Sequence, residues 1–342
     1  MLTLKDIPPD ILRDRHRLTP QQINTLTGAG PADEDAEGTL SALSITGEFI
    51  RVSDALIGSA IRFIPLKGPE LSYRMYGDTT SRYYRDLDIL VDVADLNRTA
   101  LILEGLGYRA ETLIWPAGSS RQRVIVKHTN EISFFNPGKR LTIELHWRLL
   151  KTPVVSYSRL EEMVRENMKE LNIAGRSFTV LSNELELLYL VIHGGNHWWR
   201  RLKWLIDIDT FIRSQTIDRD LFNRLTEELK AERLVGLCNA VLEDYMPGSV
   251  LIAGRRRAPE FMVRFTHKMI VSQKELTDDF YSRITGSVLF SLISFPGMRY
   301  KISTLRNYLF VVPFYGKNKI LSSLPLFYAY GPLRLAFRYL HR

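Results

Sequence analysis

The sequence has little of three things: cysteine, long apolar runs, and acidic residues near its C-terminus. Its 342 residues include one cysteine, Cys238, so a disulfide framework is excluded. No stretch reaches the roughly 18 consecutive apolar residues that a membrane-spanning helix needs. Together with the lack of a signal-peptide pattern, the single cysteine predicts a reducing, cytoplasmic setting.

The missing acids make the charge uneven along the chain. Between Phe280 and Arg342 there are nine Lys or Arg residues and no Asp or Glu. Residues 253–342 hold fifteen basic and four acidic residues, an excess larger than the net charge of +8 for the whole chain. Such a segment predicts an anionic partner: a charged substrate, RNA, or a membrane surface in peripheral contact. A solvated basic face without a partner is the alternative.

The remaining composition is typical of a folded protein, with 45% hydrophobic and 25% charged residues. The pattern predicts an α+β fold in three parts. Residues 1–39 are expected to form an N-terminal helix and a linker, and residues 40–150 a small mixed sheet flanked by helices. Residues 151–342 are expected to form a helical, basic C-terminal region.

Short β-branched runs and 3.6-residue periodicity predict the elements of the middle part. Strands are expected at 61–66, 86–91, 123–128, 131–135 and 141–147. Helices are expected at 40–59, 70–77 and 95–106.

Two acids interrupt the apolar strand at 86–91. Asp86 and Asp88 are two residues apart, so their side chains share one face of the strand. Buried carboxylates repel each other unless a cation lies between them, and Mg²⁺ prefers oxygen ligands. Glu144 lies in a later apolar strand and completes a cluster of three acids if the strands are neighbours. Such a cluster can hold two Mg²⁺ or Mn²⁺ ions for phosphoryl transfer.

A candidate phosphate site precedes these acids. Lys67 and Gly68 end a strand and come directly before a predicted helix, whose N-terminus offers free backbone N–H groups. Gly68 permits a phosphate to approach the backbone closely, and Lys67 adds positive charge. Arg85 and Arg82 are further candidates for contacts with phosphate oxygens.

Ordinary ion pairing is the alternative interpretation of the acids. Asp88 would then be buried against Arg85, and Glu144 would pair with Arg140 or Arg148. Neither pairing requires a metal.

Three histidines are also candidates. His193 and His197 are four residues apart and share a helix face, as zinc-binding histidines do, but no glutamate base lies between them. They could instead border a nucleotide pocket or simply pack in the core. His146 shares a face with Glu144, where it either orients that carboxylate, contacts substrate or makes a structural hydrogen bond.

Taken in order, these motifs resemble a known family. The chain has Lys-Gly at 67–68 after a strand, Arg-Asp-Leu-Asp at 85–88, and Glu-Leu-His-Trp at 144–147. This is similar to the nucleotidyltransferase superfamily typified by DNA polymerase β, and more narrowly to the bacterial "uncharacterised nucleotidyltransferase" family. The block at 193–208 also resembles a helical block of that family.

The resemblance implies transfer of a nucleotidyl group from an NTP to an acceptor hydroxyl, with release of pyrophosphate. The residues it implies for metal binding and catalysis are Asp86, Asp88 and Glu144. Those expected at the nucleotide are Lys67, Gly68, Arg85, His193 and His197. The expected acceptor is a small molecule, sugar or peptide, with RNA as a further candidate. The alternatives are a toxin-like or phosphotransferase enzyme acting on RNA or a peptide, and a non-catalytic nucleotide-binding protein of the same fold.

Overall fold

A computed structural model describes residues 7–29, 35–111, 117–152, 154–250, 252, 257–272 and 288–309. The chain forms two compact units, each assembled from separate stretches of sequence. The first unit consists of Met1–Thr46, Pro69–Tyr84 and Glu162–Gly297. The second consists of Gly47–Gly68, Arg85–Glu161 and Met298–Arg342. The three-part division at residues 39 and 150 stays a proposal about organisation along the sequence.

The helices, in chain order, are α1 (Pro9–Asp14), α2 (Pro20–Thr27), α3 (Ala36–Gly58), α4 (Gly68–Tyr76), α5 (Leu96–Gly105), α6 (Ser120–His128), α7 (Tyr157–Glu166), α8 (Asn183–Asn196), α9 (Lys203–Ser214), α10 (Arg219–Glu228), α11 (Glu232–Tyr245), α12 (Glu260–Val271) and α13 (Met298–Leu309). Residues 288–294 are also helical. The strands are β1 (Phe63–Leu66), β2 (Asp86–Val91), β3 (Arg109–Ala110), β4 (Glu131–Asn136), β5 (Leu141–His146), β6 (Met168–Ile173) and β7 (Arg176–Leu181).

The second unit contains a five-stranded mixed sheet with the order β1-β2-β5-β4-β3. Strands β2 and β5 are parallel, and the other neighbours are antiparallel. This sheet and the mainly helical C-terminal half confirm the predicted α+β fold class. The parallel pair brings together two strands that are about fifty residues apart in sequence, which positions the candidate site.

The two faces of the central strands differ in chemistry because side chains alternate along a strand. One face is apolar and buried, and its members include Leu87, Ile89, Phe134, Ile143 and Leu145. The residues between them, Asp88 and Glu144 among them, point to the opposite face. The apolar face supplies the core, which leaves the other face free for polar chemistry.

The first unit is organised around α8, which contacts α9, α10, α11 and β7. Its residues from 184 to 192 are all buried, and a helix that is apolar nearly all round is typical of a core position. Gly194 and Gly195 allow close packing near its C-terminal end. A Cβ on Gly194 would collide with the Trp199 ring, and one on Gly195 would lie 2.8 Å from Leu234 Cδ2. The two glycines therefore have a packing role.

The strand predicted at 123–128 is wrong, because these residues lie in α6. The side chain of Ser119 caps this helix by accepting the backbone N–H of Gln122. At its other end, the indole of Trp147 donates to the carbonyl oxygens of Val126 and Thr129. Local β-propensity is weak enough for such a cap and such tertiary contacts to outweigh it.

Two further differences concern element boundaries. Helix α3 begins at Ala36, so the last residues of the predicted linker are helical. The β6–β7 hairpin interrupts the region expected to be helical. Its two-residue turn, Ala174-Gly175, has positive φ at both positions (50° and 75°), as a type I′ turn requires. That turn dipeptide was the available sequence signal.

Much of the basic C-terminal region lies outside the described residues, including 273–287 and 310–342. The predicted contacts with RNA, a membrane surface or an anionic substrate stay predictions for those segments. Within the part of the chain that the structure describes, no helix combines the length and apolar content needed to span a membrane.

Candidate metal and nucleotide site

The candidate site lies on the polar face of the sheet, where β2 and β5 run side by side. Asp88 is the register partner of Glu144, and Leu90 is the partner of His146. Ligand atoms of Asp88, Glu144 and His146 all lie within 4.8 Å of one another. The predicted convergence of acids from two strands therefore occurs for Asp88 and Glu144. Register, which local sequence does not reveal, produces it.

Asp88 is held between two positive groups. It is 4% exposed. One carboxylate oxygen lies 3.3 Å from Lys67 Nζ, and the other lies 3.1 Å from His146 Nε2. Burial would raise the pKa of Asp88, but Lys67 and the hydrogen bond with His146 hold it well below its usual range. These contacts favour the carboxylate form of Asp88, which pairs with Lys67 and His146 rather than with Arg85.

His146 lies between carboxylates. Its Nδ1 is 3.2 Å from a carboxylate oxygen of Glu131, and its Nε2 is 3.7 Å from Glu144 as well as 3.1 Å from Asp88. Burial would lower the pKa of His146, but the hydrogen bond to Asp88 and the nearby carboxylate of Glu144 raise it to about 9. An imidazolium donates from both ring nitrogens, which matches these contacts. His146 contacts both acids, and its predicted roles, orienting Glu144, contacting substrate or making a structural hydrogen bond, stay predictions.

Glu144 is about one-third exposed, so it is the accessible acid of the cluster. Its contact with His146 lowers the pKa of Glu144, but burial and the negative charge of Asp88 outweigh this effect and raise it to about 7. The pairing with Arg148 considered above is not the contact that forms. The Arg148 guanidinium instead donates to the carbonyl of Val126 and stacks on the Tyr157 ring.

The donor set fits a divalent cation. Counted as ionised, Asp88, Glu144 and Glu131 carry three negative charges against two on Lys67 and His146. Each carboxylate oxygen has two lone pairs, so the oxygens of Asp88 keep acceptor positions beside their present partners. Carboxylates suit Mg²⁺ and Mn²⁺, whereas imidazole suits later transition metals better. Asp88 and Glu144 could therefore hold the ion, with His146 as their hydrogen-bond partner.

The Lys67-Gly68 turn lies at the edge of this cluster, between β1 and α4. Both residues have positive φ, 60° and 65°, which is uncommon for a lysine. Leu66 is the register partner of Asp88, which is why the next residue reaches its carboxylate. A Cβ on Gly68 would meet only ordinary contacts at 3.7 Å or more. Glycine is therefore favoured here by the positive φ of the backbone and not by a lack of space.

Asp86 and Arg85 are also in the second unit. Asp86 begins β2 opposite Thr142, and it shares the face of Asp88 by alternation. Its carboxylate is outside the group of atoms within 4.8 Å. Arg85 is exposed directly before the strand. Their roles at the metal and the nucleotide stay predictions. Glu131, which the sequence analysis did not single out, takes part through His146.

His193 and His197 belong to the first unit. Their rings are 4.7 Å apart, and His197 stacks on Trp204 with 5.1 Å between the ring centroids. Both histidines are half-buried. Among the described residues, the cluster with metal-ligand spacing contains neither of them. Their predicted contact with the nucleotide stays a prediction.

Arg82, a further candidate for phosphate binding, is engaged elsewhere. Its guanidinium makes two hydrogen bonds of 2.8 Å to the carboxylate of Asp207, and both side chains are buried. A planar pair of this kind explains why an arginine is tolerated in the interior of the first unit.

Comparison with known proteins identifies the family of the chain. The model of a family described as "Uncharacterised nucleotidyltransferase" matches residues 36–247, which is more than half of the chain. The chain belongs to this family. The match to this nucleotidyltransferase family includes the Lys67-Gly68 turn, β2 and β5. A search of curated proteins found no match.

One solved structure similar to this nucleotidyltransferase-family chain is an antigenic nucleotidyltransferase-like protein from Paracoccidioides brasiliensis. It is 16% identical, and the alignment covers 58% of this chain and 91% of that one, with a TM-score of 0.29.

Proposed function

We propose that the protein is a metal-dependent nucleotidyltransferase that transfers a nucleotidyl group from an NTP to an acceptor hydroxyl. The observation that carries the proposal is the parallel pairing of β2 with β5, which places Asp88 opposite Glu144 beside the Lys67-Gly68 turn. Family membership supports a transferase of this general kind.

In the proposed reaction the acceptor oxygen forms a bond to the α-phosphorus of the NTP. The bond between the α-phosphorus and the oxygen that bridges to the β-phosphorus breaks, and pyrophosphate leaves. The acceptor proton passes to the Glu144 carboxylate and from there to solvent. A bound Mg²⁺ or Mn²⁺ would neutralise the charge that builds up on the phosphate oxygens.

The side chains of the site have distinct roles in this proposal. Asp88 and Glu144, with Asp86 from the same face, would hold the ion. Lys67 and the backbone N–H of Gly68 would contact the triphosphate, since a charged donor and a side-chain-free backbone suit phosphate oxygens. Arg85, His193 and His197 are further proposed contacts to the nucleotide.

The test uses NTPs labelled at either the α- or the γ-phosphorus, with Mn²⁺ or Mg²⁺ and a small-molecule extract as the acceptor source. We expect α-label in the product and one pyrophosphate released per transfer. Glu144→Gln should reduce the rate at least about a hundredfold. Glu227→Gln, an exposed glutamate on α10, is the matched control and should match wild type.

Each alternative function predicts another pattern. Transfer of γ-label with release of NDP would replace the proposal with the phosphotransferase alternative. NTP binding without release of either product, under conditions where metal binds, would support the non-catalytic alternative.

A further inference from the structure

A surface cavity of about 690 Å³ lies in the second unit, apart from the acidic cluster. Its walls come from the C-terminal end of α6, the segment that follows β5, and the first turns of α13. A volume of this size is in the range of small-molecule sites. None of the residues given roles above lines it.

The cavity is strongly basic. Lys127, Arg148, Arg299 and Arg306 line it, and none of the described lining residues is acidic. The neighbouring His128 experiences this charge. Burial, followed by Arg306, Lys127 and Arg148, lowers the pKa of His128 to about 4. Three of these four cations therefore lie near enough to His128 to affect its pKa, and the described lining residues include no carboxylate.

Two of the arginines have an unused donor. The Nε atoms of Arg148 and Arg306 are both buried and lack a hydrogen-bond partner among the described residues. Arg148 is held in place by carbonyl oxygens and by the Tyr157 ring, 3.8 Å from its guanidinium carbon. Its positive charge is therefore fixed at the wall of the cavity.

The rest of the wall is apolar. Met298 and Ile302, one turn apart on α13, are 70% and 60% exposed, and Val155 and Tyr157 lie in the same lining. Large exposed apolar side chains next to several cationic side chains suit a ligand that has an acidic group and an apolar body. A fully hydrated anion would leave this apolar surface uncovered.

The cavity begins close to the proposed active site along the chain. Arg148 follows His146 by two residues, with a bend at Trp147 between them. Lys127 precedes Glu131, the other carboxylate beside His146, by four residues. The cavity wall is therefore formed in part by the segments that directly follow β5 and precede β4.

We propose that this cavity binds the acceptor, and that the acceptor is a small molecule with a phosphate or carboxylate group on an apolar body. The identification of the ligand as the acceptor rests on the proposed nucleotidyltransferase function. The binding of an amphiphilic anion stands on the cavity itself.

The test measures binding of four probes to the full-length protein by calorimetry: hexyl phosphate, hexanoate, inorganic phosphate and hexanol. Hexanoate tests a carboxylate in place of the phosphate group. We expect hexyl phosphate or hexanoate to bind at least about tenfold more tightly than inorganic phosphate, and hexanol not to bind. Arg306→Gln and Lys127→Gln should each weaken binding about tenfold or more, because each removes a charged donor.

Two controls make the result specific. Arg264→Gln changes an exposed arginine on α12 and should leave binding unchanged. Asp88→Asn should leave probe binding unchanged while it abolishes transfer. Equal affinity in wild type and in both cavity variants, or no binding of any anion, would overturn the proposal.

The two proposals fail in different ways. If the probes bind as expected but the wild-type protein does not transfer α-label, the nucleotidyltransferase assignment and the acceptor role are both overturned. The anion site in the cavity then still stands. If transfer occurs and hexyl phosphate does not compete with the acceptor, the acceptor role alone is overturned.

Discussion

Asp88 is the residue on which the site depends, because it is buried and bound to two cations. Replacing it with asparagine would leave Lys67 and His146 without their common negative partner. We expect Asp88→Asn to lower the free energy of unfolding by about 3 kcal/mol, since breaking a buried ion pair leaves an uncompensated charge. Urea denaturation of metal-free protein measures this change. The affinity for Mn²⁺ should also fall at least about tenfold.

Asp86 offers a matched comparison on the same strand. It shares the face of Asp88 but is not part of the ion pairs to Lys67 and His146. Asp86→Asn should therefore weaken Mn²⁺ binding while changing the free energy of unfolding by less than about 0.5 kcal/mol. Equal unfolding energies for Asp88→Asn and wild type would show that the ion pairs do not stabilise the fold.

At the scale of elements, the turn between β1 and α4 is the feature to test. Gly68→Val places a β-branched residue at a φ of 65° and should cost about 1–2 kcal/mol of stability. Affinity for NTP should fall as well, because the side chain blocks approach to the backbone N–H. Calorimetric titration with NTP, alongside urea denaturation, separates the two effects.

Gly77 provides the control for this turn. It follows α4 with a φ of 75°, and a Cβ there would meet nothing within 4 Å. Gly77→Val should carry a similar strain without changing NTP affinity. If both variants bind NTP as wild type does, the phosphate site lies elsewhere in the chain.

At the scale of the whole molecule, a buried histidine makes stability depend on pH. His16 is fully buried, and its Nδ1 accepts the backbone N–H of Leu202. Burial, together with Arg15 and Arg201, lowers its pKa to about 3, whereas the unfolded value is about 6.5. Between these values the unfolded chain binds one more proton. Stability from this group is therefore complete above pH 6.5 and declines as the pH falls, by about 1.4 kcal/mol per pH unit.

The pH dependence is tested by comparing wild type with His16→Asn at several pH values between 7.5 and 5. The asparagine oxygen can accept the same N–H but does not titrate in this range. The free energy of unfolding should fall less steeply with acid in the variant, by about 1.4 kcal/mol per pH unit. Parallel curves for the two proteins would contradict the assignment to His16. The slope, rather than absolute stability, is the quantity compared.

The fold was predictable where the signal was local. The strands at 86–91 and 131–135 and the helix at 95–106 agree with the structure within one or two residues, because periodicity and flanking turns mark them. The prediction of a strand at 123–128 was wrong. The β-branched side chains there favour a strand, but the cap at Ser119 and the contact with Trp147 favour α6. The contact with Trp147 comes from a distant part of the chain.

The sequence was enough to predict which acids form the candidate site. It was not enough to predict which cationic side chains neutralise them. Period-two spacing predicted that Asp86 and Asp88 share one face, and the strand context of Glu144 suggested a partner; of these acids the structure brings Asp88 and Glu144 together. That Lys67 and His146 neutralise Asp88 could not be read locally. It depends on the antiparallel register of β1 and the parallel register of β5 against β2.

By itself, the sequence determined the residue types of the site and the motif order that identifies the family. These follow from spacing within short segments, because side-chain direction in a strand repeats every two residues. Only the tertiary structure decided that β2 lies parallel to β5, so that Asp88 meets Glu144 and His146. It alone also gathered Lys127, Arg148 and Arg306 around one cavity. The physical reason is that register between distant strands and the packing of distant helices are set by the burial of a shared core.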